Sequence, residues 1–293
     1  MKLRAGCDRA GLALAAALTL ASAAAAQVPE DMVLVPGGTY PMGSDRHRED
    51  SRPAHTVDLR PFALDRFEVT NAQYAAFLAT LDAKPVRDAP AGGLRPADVR
   101  GTDAELLFTA SRSGRHVIEL DDDDVRIVAA GGRFVPQPGF ERHPVREVTW
   151  EGARRYCAWR GARLPTEAEW EAAARGREGR LAPWGDAPAT PDRVSMSRRH
   201  EPVGSHPKGA TPEGIHDLIG SLAEWTASLY RPYPYVPTDG REDPRAPGER
   251  VTRGGDYNWD NTPDRLNAVF RTGASRNPTA GHHHIGFRCA RDG

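Results

Sequence analysis

Apolar residues recur at helical spacing in two segments, and each segment is preceded by a pattern typical of a helix start. Thr70 and Gln73 form a capping-box pattern, and an apolar face follows them. Thr166 and Glu169 repeat the pattern ahead of a second helix, which is expected to end at Gly176. The sequence therefore predicts two short helices with defined ends.

A third helix is predicted between these two, with Thr149 as its cap. Ala153, Tyr156 and Cys157 share one face of this helix. Cys157 is therefore expected to face the core.

Elsewhere the apolar stretches are short and bounded by turn residues, which is typical of strands. Residues 230–236 alternate tyrosine with proline, so we expect a stiff, extended segment. A packed surface loop is the favoured interpretation, and a lid or the wall of a groove is the alternative. The predicted strands cover residues 56–59, 116–120, 125–130, 133–135 and 286–289.

The first residues have the order of a secretory signal peptide. Positive charges at Lys2, Arg4 and Arg9 precede an apolar run over residues 11–20, and small residues follow up to Ala26. The run is too short for a membrane span, which takes roughly 20 apolar residues. We therefore expect cleavage after Ala26, no membrane span in the mature protein, and a periplasmic or secreted location.

Composition indicates one loop-rich domain over residues 27–293, because the 29 glycines and 25 prolines predict many turns and few long helices. The net charge of −1 provides no positive electrostatic field that would attract nucleic acid. A peptide or small-molecule substrate in the cell envelope is the expected partner.

The acidic run at residues 121–124 is expected to be a solvated loop, with ion binding as the alternative.

Cysteine usage agrees with export. Cys7 lies within the predicted leader, so Cys157 and Cys289 remain after cleavage. An even count in an oxidising compartment favours a bridge over two free thiols.

Several short phrases occur in a fixed order along most of the chain. They include Tyr40-Pro41-Met42-Gly43-Ser44, His143-Pro144-Val145, Arg163-Leu164-Pro165-Thr166-Glu167, Glu224-Trp225-Thr226, Arg253-Gly254-Gly255 and Ile285-Gly286-Phe287-Arg288-Cys289. Together these phrases resemble the formylglycine-generating enzyme, or sulfatase-modifying factor, family. The resemblance implies an α+β, C-type-lectin-like formylglycine-generating-enzyme fold, a single domain with much irregular structure and a few short helices. It also implies a structural disulfide between Cys157 and Cys289.

Members of the family that make formylglycine carry a copper-binding cysteine pair shortly after the Arg-Gly-Gly turn, since soft thiolates suit Cu(I). In this chain Trp259 and Asp264 stand at or near the two cysteine positions, and Asp256 replaces a serine. Formylglycine generation by the family mechanism is therefore disfavoured, and the sequence identifies no redox metal.

The same pocket is expected to serve a different chemistry. Asp256 and Asp264 are the candidate catalytic acid/base groups, because a carboxylate partly desolvated beside Trp259 is expected to have a raised pKa. The candidate substrate-binding residues are Asn258, Trp259, Arg253 and Arg271.

The resemblance also implies a structural calcium ion. Its ligands would be the carboxylates of Asp217 and Glu224 and the backbone carbonyls of Gly220 and Leu222, which are hard oxygen donors. The alternative is that Asp217 and Glu224 serve in helix capping and a buried salt bridge. A second family calcium site, near residues 194–202, is left open.

Three consecutive histidines, residues 282–284, precede the last predicted strand. Neighbours on an extended chain alternate faces, so at most His282 and His284 would bind one ion, and polar loop histidines are the favoured interpretation.

These features support three hypotheses about function. The first is an exported protein with a formylglycine-generating-enzyme-like domain and non-thiol chemistry on a peptide or peptide-derived substrate, as in relatives of the pyoverdine-maturation type. The second is a non-catalytic, lectin-like binding module. The third, a formylglycine-generating oxidase acting on a sulfatase cysteine, is disfavoured by the absence of the cysteine pair.

Overall fold

The computed structural model describes residues 28–109, 115–196, 199–262, 264–273 and 278–293. The predicted leader, residues 1–26, lies outside the described residues. In the described part of the chain, no helix combines the length and the apolar character needed to cross a membrane.

All three predicted helices are confirmed, and each begins at its predicted cap. The hydroxyls of Thr70 and Thr166 accept backbone N–H groups three residues ahead, and Gln73 and Glu169 complete the two capping boxes. Gly176 closes the last helix with a φ of 61°, a left-handed value that favours glycine. The helices are α1 (Asn71–Leu78), α2 (Trp150–Trp159) and α3 (Glu167–Arg175).

The strands are short, and long irregular connections join them. In chain order they are β1 (Met32–Val35), β2 (Gly38–Met42), β3 (His55–Leu59), β4 (Phe62–Asp65), β5 (Lys84–Pro85), β6 (Val99–Arg100), β7 (Ile127–Ala130), β8 (Arg133–Pro136), β9 (Ala223–Leu229), β10 (Arg250–Arg253), β11 (Arg271–Thr272), β12 (Ile285–Gly286) and β13 (Ala290–Asp292).

Two small sheets organise these strands. One has the order β11-β10-β9-β12, with β12 parallel to β9, and the other has the antiparallel order β1-β4-β13. The pairs β2-β3, β5-β6 and β7-β8 are separate ribbons, and β7-β8 pairs the predicted strands 125–130 and 133–135 across a turn at Gly131 and Gly132. Sheets, helices and much irregular chain together make an α+β fold.

Two predicted strands are not formed as expected. Residues 286–289 were predicted as one strand, but the chain leaves the first sheet after β12 and joins the second sheet as β13. Residues 116–120 make one isolated bridge, between Ile118 and Val148. Their backbone N–H groups bond to two different segments, at Leu106 and Leu107 and at Glu147, instead of to one partner strand, so no ladder forms.

The predicted disulfide between Cys157 and Cys289 is confirmed. It joins α2 to the segment that connects β12 with β13. Both cysteines are fully buried in an apolar cluster with α1, whereas Trp170 of α3 belongs to a second cluster. The bridge therefore fixes a helix to the segment in which the chain changes sheets.

Candidate functional site

A buried ion network anchors the turn that carries the predicted site. Arg253, the last residue of β10, donates to Glu167 Oε1 at 3.1 Å and to Glu171 Oε2 at 2.7 Å. Arg271 of β11 donates to the two oxygens of Glu167 at 2.6 and 3.0 Å. All four side chains are buried, so their charges are solvated by one another. Arg253, a candidate substrate-binding residue, is enclosed in the core, where it positions the turn instead of reaching a ligand.

Asp256 follows this turn and caps its own loop. Its Oδ1 accepts the backbone N–H groups of Asn258, Trp259 and Asp260. Burial raises the pKa of Asp256, and the negative charge of Asp260 adds to this effect. The second oxygen, Oδ2, is buried without a hydrogen-bond partner. Asp256 is therefore a poorly solvated carboxylate held rigidly at one oxygen.

Trp259 and Asp264, near the family's cysteine positions, face solvent. The Trp259 side chain is 62% exposed. Asp264 is also exposed, and a hydrogen bond from Thr262 lowers its pKa. Asp264 is therefore ionised at neutral pH, which makes it a poor proton donor.

Arg271 lines an open cleft of about 690 Å³. Its guanidinium carbon lies 4.5 Å from the centre of the Tyr230 ring and 4.2 Å from that of Tyr233. The Tyr230 hydroxyl donates to Asp50 Oδ2 at 2.8 Å, which fixes the ring. The segment after Leu229 is thus the wall of a groove. Besides Arg271, the lining consists of Arg48, Glu49, Asp50, Arg52, Tyr230, Pro232 and Tyr233.

The predicted site residues are therefore divided between different environments. Arg271 lines the cleft, Asp256 is buried beneath its own loop, and Trp259 projects into solvent. Arg48 and Asp50, which also line the cleft, were missed by sequence reasoning. They lie about two hundred positions earlier in the chain, and no local pattern connects them with Arg271.

Glu224, a predicted calcium ligand, forms a buried salt bridge with Arg288. Arg288 donates to both of its oxygens, each at 2.7 Å, and the Trp170 indole donates to Oε2 at 2.8 Å. The neighbouring Gly220 N–H donates to the Gly254 carbonyl at 3.2 Å, which ties this loop to the Arg-Gly-Gly turn. At Glu224 the structure thus shows the salt bridge that was the alternative to calcium.

The charge around Asp217 nevertheless fits a cation. Glu68, which sequence reasoning missed, accepts the Leu222 N–H at 3.0 Å. Burial and the charges of Glu224 and Asp217 raise the pKa of Glu68. Glu68 and Glu224 are buried, Asp217 is partly buried, and all three face one arginine, Arg288; carboxylates grouped in this way are the hard oxygen donors that calcium prefers.

A second group of carboxylates was also missed. Burial and the charges of Asp122 and Glu119 raise the pKa of Glu147 to about 8. The acidic run at residues 121–124 is visible in the sequence, but Glu147 lies in a different segment. Only the fold brings Glu147 and the acidic run together.

The chain matches the family model described as "Sulfatase-modifying factor enzyme 1-like domain" over residues 18–293. Serine/threonine-protein kinase pkn1 of Chlamydia caviae is 33% identical over 267 residues, which cover 89% of this chain and 38% of that protein. The chain thus spans less than two-fifths of the length of this relative.

Two further relatives match over most of their own length. Inactive C-alpha-formylglycine-generating enzyme 2 of Bos taurus is 32% identical, with 89% of this chain and 87% of that protein covered. The formylglycine-generating enzyme of Streptomyces coelicolor is 33% identical, with 95% and 94% covered.

Among solved structures, PvdO from Pseudomonas aeruginosa is similar with a TM-score of 0.62 at 24% identity, covering 89% of this chain and 94% of that one. This likeness shows a shared fold and confirms the predicted α+β formylglycine-generating-enzyme fold. The relation to C-type lectins stays a prediction. Because the family model spans nearly the whole sequence and relatives above 30% identity align over most of their length, the chain belongs to the sulfatase-modifying factor family.

Proposed function

We propose that this protein binds a peptide or peptide-derived molecule in the cleft lined by Arg271, Tyr230 and Tyr233, without the thiol chemistry of its family. The observation that carries the proposal is the rigid wall of this cleft. Glu167 fixes Arg271 from the core, and Arg271 in turn supports both tyrosine rings. A wall that is fixed before binding reduces the entropy lost when a ligand binds.

The size and lining of the cleft suit a peptide. Its volume of about 690 Å³ lies within the range of roughly 300–1,000 Å³ that is typical of ligand sites. Tyrosine rings provide apolar contact area together with hydroxyl groups. Arg48 and Arg52 lie beside Glu49 and Asp50, so charges of both signs face the ligand. A peptide offers amides, apolar groups and charges that complement such a surface.

The absence of thiol chemistry follows from the cysteines. Cys157 and Cys289 are joined to each other in the core, and the turn after Arg253 carries no cysteine. One relative is named an inactive formylglycine-generating enzyme, so loss of the activity has a parallel in the family.

Export is part of the proposal. The leader pattern of residues 1–26 and the disulfide both suit an oxidising compartment, the periplasm or the cell exterior. The ligand would then come from the cell envelope.

Binding is tested with a pool of short synthetic peptides, by measuring the dissociation constant of the best binder. Tyr230→Ala is expected to weaken peptide binding at least about tenfold, because tyrosines that become buried under a ligand often contribute much of the binding energy. Arg60→Ala is the matched control, since Arg60 lines a separate cleft of about 530 Å³. Equal affinities for all three proteins, or an effect of Arg60→Ala alone, would show that the ligand site lies elsewhere.

A second candidate function, acid/base catalysis by Asp256, is supported by the buried, unpartnered Oδ2 of that residue. In the binding experiment, Asp256→Asn keeps the acceptor oxygen that caps the loop but cannot transfer a proton. If the bound peptide is chemically altered by the wild type and unaltered by Asp256→Asn, catalysis by Asp256 replaces simple binding as the function.

We also propose a structural calcium ion at Asp217, held with the carbonyls of Gly220 and Leu222, while Glu224 keeps its salt bridge with Arg288. Chelation with EGTA is expected to lower the melting temperature by several degrees, because a ligand at 100 times its Kd stabilises the folded state by about 2.7 kcal/mol. Asp217→Asn should melt at the same temperature with and without EGTA. A wild-type protein whose melting is indifferent to EGTA has no such calcium site.

A further inference from the structure

Two groups of three side chains with metal-binding atoms share Glu147 and include residues of the acidic run. Ligand atoms of Asp124, Glu147 and His283 lie within 4.8 Å of one another, and so do those of Glu119, Asp122 and Glu147. Two atoms bound to one ion show such separations, because each lies about 2.0–2.6 Å from the metal. Glu147 belongs to both groups and therefore occupies their centre.

The state of Glu147 distinguishes this cluster from an ordinary acidic surface. Its side chain is almost fully buried, with 2% exposed, and its Oε1 has no hydrogen-bond partner. The backbone on either side is fixed, because its N–H donates to the His282 carbonyl at 3.3 Å and its carbonyl accepts the Glu119 N–H at 3.0 Å. The carboxylate is thus held inside the cluster, where an unsatisfied oxygen is costly unless something binds it.

Nearby arginines do not supply that partner. Arg146 and Arg126 lie 3.6 and 3.9 Å from Asp124 Oδ1. Within the described residues, neither Glu147 nor Asp122 forms a salt bridge with a lysine or arginine. These two carboxylates therefore have no lysine or arginine at ion-pair distance.

Other contacts orient the group and leave it accessible. Glu119 accepts hydrogen bonds from the His116 ring at 3.0 Å and from the Gly281 N–H at 2.8 Å, as carboxylates beside metals commonly do. Asp122 and His283 are partly exposed, so an ion can enter from solvent on their side.

We propose that Glu147 is the central ligand of a divalent-cation site formed with Glu119, Asp122, Asp124 and His283. The donor set combines carboxylate oxygens with one imidazole nitrogen. Calcium takes oxygen ligands, whereas Mn²⁺, Fe²⁺ and Zn²⁺ accept both kinds of donor. The site is therefore assigned to a divalent transition-series cation, with Mn²⁺ as the probe.

The test is a Mn²⁺ titration of the full chain, followed by electron paramagnetic resonance in excess Ca²⁺ so that calcium sites are filled. The wild type is expected to show saturable, tight binding. Removing a residue that hydrogen-bonds to a metal ligand already lowers metal affinity about 10–100-fold. Glu147→Gln removes a ligand itself, so this variant should bind Mn²⁺ at least about 100-fold more weakly than the wild type. Asp123→Asn is the matched control, because Asp123 belongs to the same acidic run but is exposed and outside both groups.

Thermal melting separates a ligand role from a structural one. Mn²⁺ should raise the melting temperature of the wild type and of Asp123→Asn, but not that of Glu147→Gln. Without metal, Glu147→Gln should melt no lower than the wild type, because glutamine keeps the size of the side chain and Glu147 forms no salt bridge with a lysine or arginine in the described part of the chain. If circular dichroism shows this variant unfolded, Asp122→Asn replaces it, with the same expected loss of Mn²⁺ affinity. Wild-type affinity in the ligand variants, or no saturable Mn²⁺ binding by the wild type, would overturn the assignment.

Discussion

Replacing Glu167 with glutamine is expected to lower the free energy of unfolding by about 3–5 kcal/mol, because breaking a buried ion pair leaves charge without a partner. Glu167 is fully buried and accepts hydrogen bonds from Arg253, Arg271 and Tyr233. Glutamine keeps the shape but carries no charge, so two buried arginines lose a counter-ion. Urea unfolding monitored by tryptophan fluorescence measures the loss.

The effect should also depend on pH. Burial opposes ionisation of Glu167, but Arg271 and Arg253 outweigh it and lower its pKa below the ordinary value of 4.5. A lowered pKa in the folded state gives stability that is present above the unfolded pKa and is lost as the pH falls through the folded one. The difference between wild type and Glu167→Gln should therefore shrink in acid.

Glu178→Gln is the matched control, since Glu178 pairs with Arg180 at the surface and its side chain is 70% exposed. Its stability should stay within about 0.5 kcal/mol of the wild type. A loss below about 1 kcal/mol for Glu167→Gln would mean that the network does not hold the fold as described.

Removing the disulfide by Cys157→Ala with Cys289→Ala is expected to cost up to about 5 kcal/mol in the chain-entropy model, because the bridge closes a long loop. The cysteines are 132 residues apart in sequence. The measurement is thermal unfolding with and without a reductant. A reductant should destabilise the wild type and leave the double variant unchanged.

Cys7→Ser is the control for the double variant and should respond to the reductant as the wild type does, because Cys7 lies in the predicted leader.

The location of the protein is tested by counting its free thiols. Thiol counting should find none free in exported protein and two in a chain without residues 1–26 made in a reducing cytosol. Two free thiols in the exported protein would contradict both the bridge and its compartment.

Local patterns predicted the helices because their determinants are local. The Thr70 and Thr166 caps and the Gly176 stop depend on residues within one turn of each helix. The strand over residues 286–289 was mispredicted because an apolar stretch does not indicate which sheet pairs with it. Arg288 lies inside this crossing, where its ion pair with Glu224 holds the chain between the two sheets.

The sequence predicted the chemistry of the site only where that chemistry depends on the absence of a residue type. The absence of cysteines after Arg253 was visible in the sequence and remains the basis of the prediction that the family's copper chemistry is disfavoured here. The roles of Arg253 and Asp256 were not visible, because burial decides whether a charged residue binds a ligand or supports the fold. The partners of Glu147 were also hidden, since they come from two segments, residues 119–124 and residue 283, that lie far apart in the sequence.

The most direct test of the central claim, peptide binding without thiol oxidation, is the mass of the bound peptide. A cysteine-containing peptide is incubated with the protein in air with copper present, recovered, and analysed by mass spectrometry. We predict that the wild type retains the peptide, that Tyr230→Ala retains far less, and that the recovered peptide has its original mass. Conversion of the peptide cysteine to an aldehyde would contradict the claim.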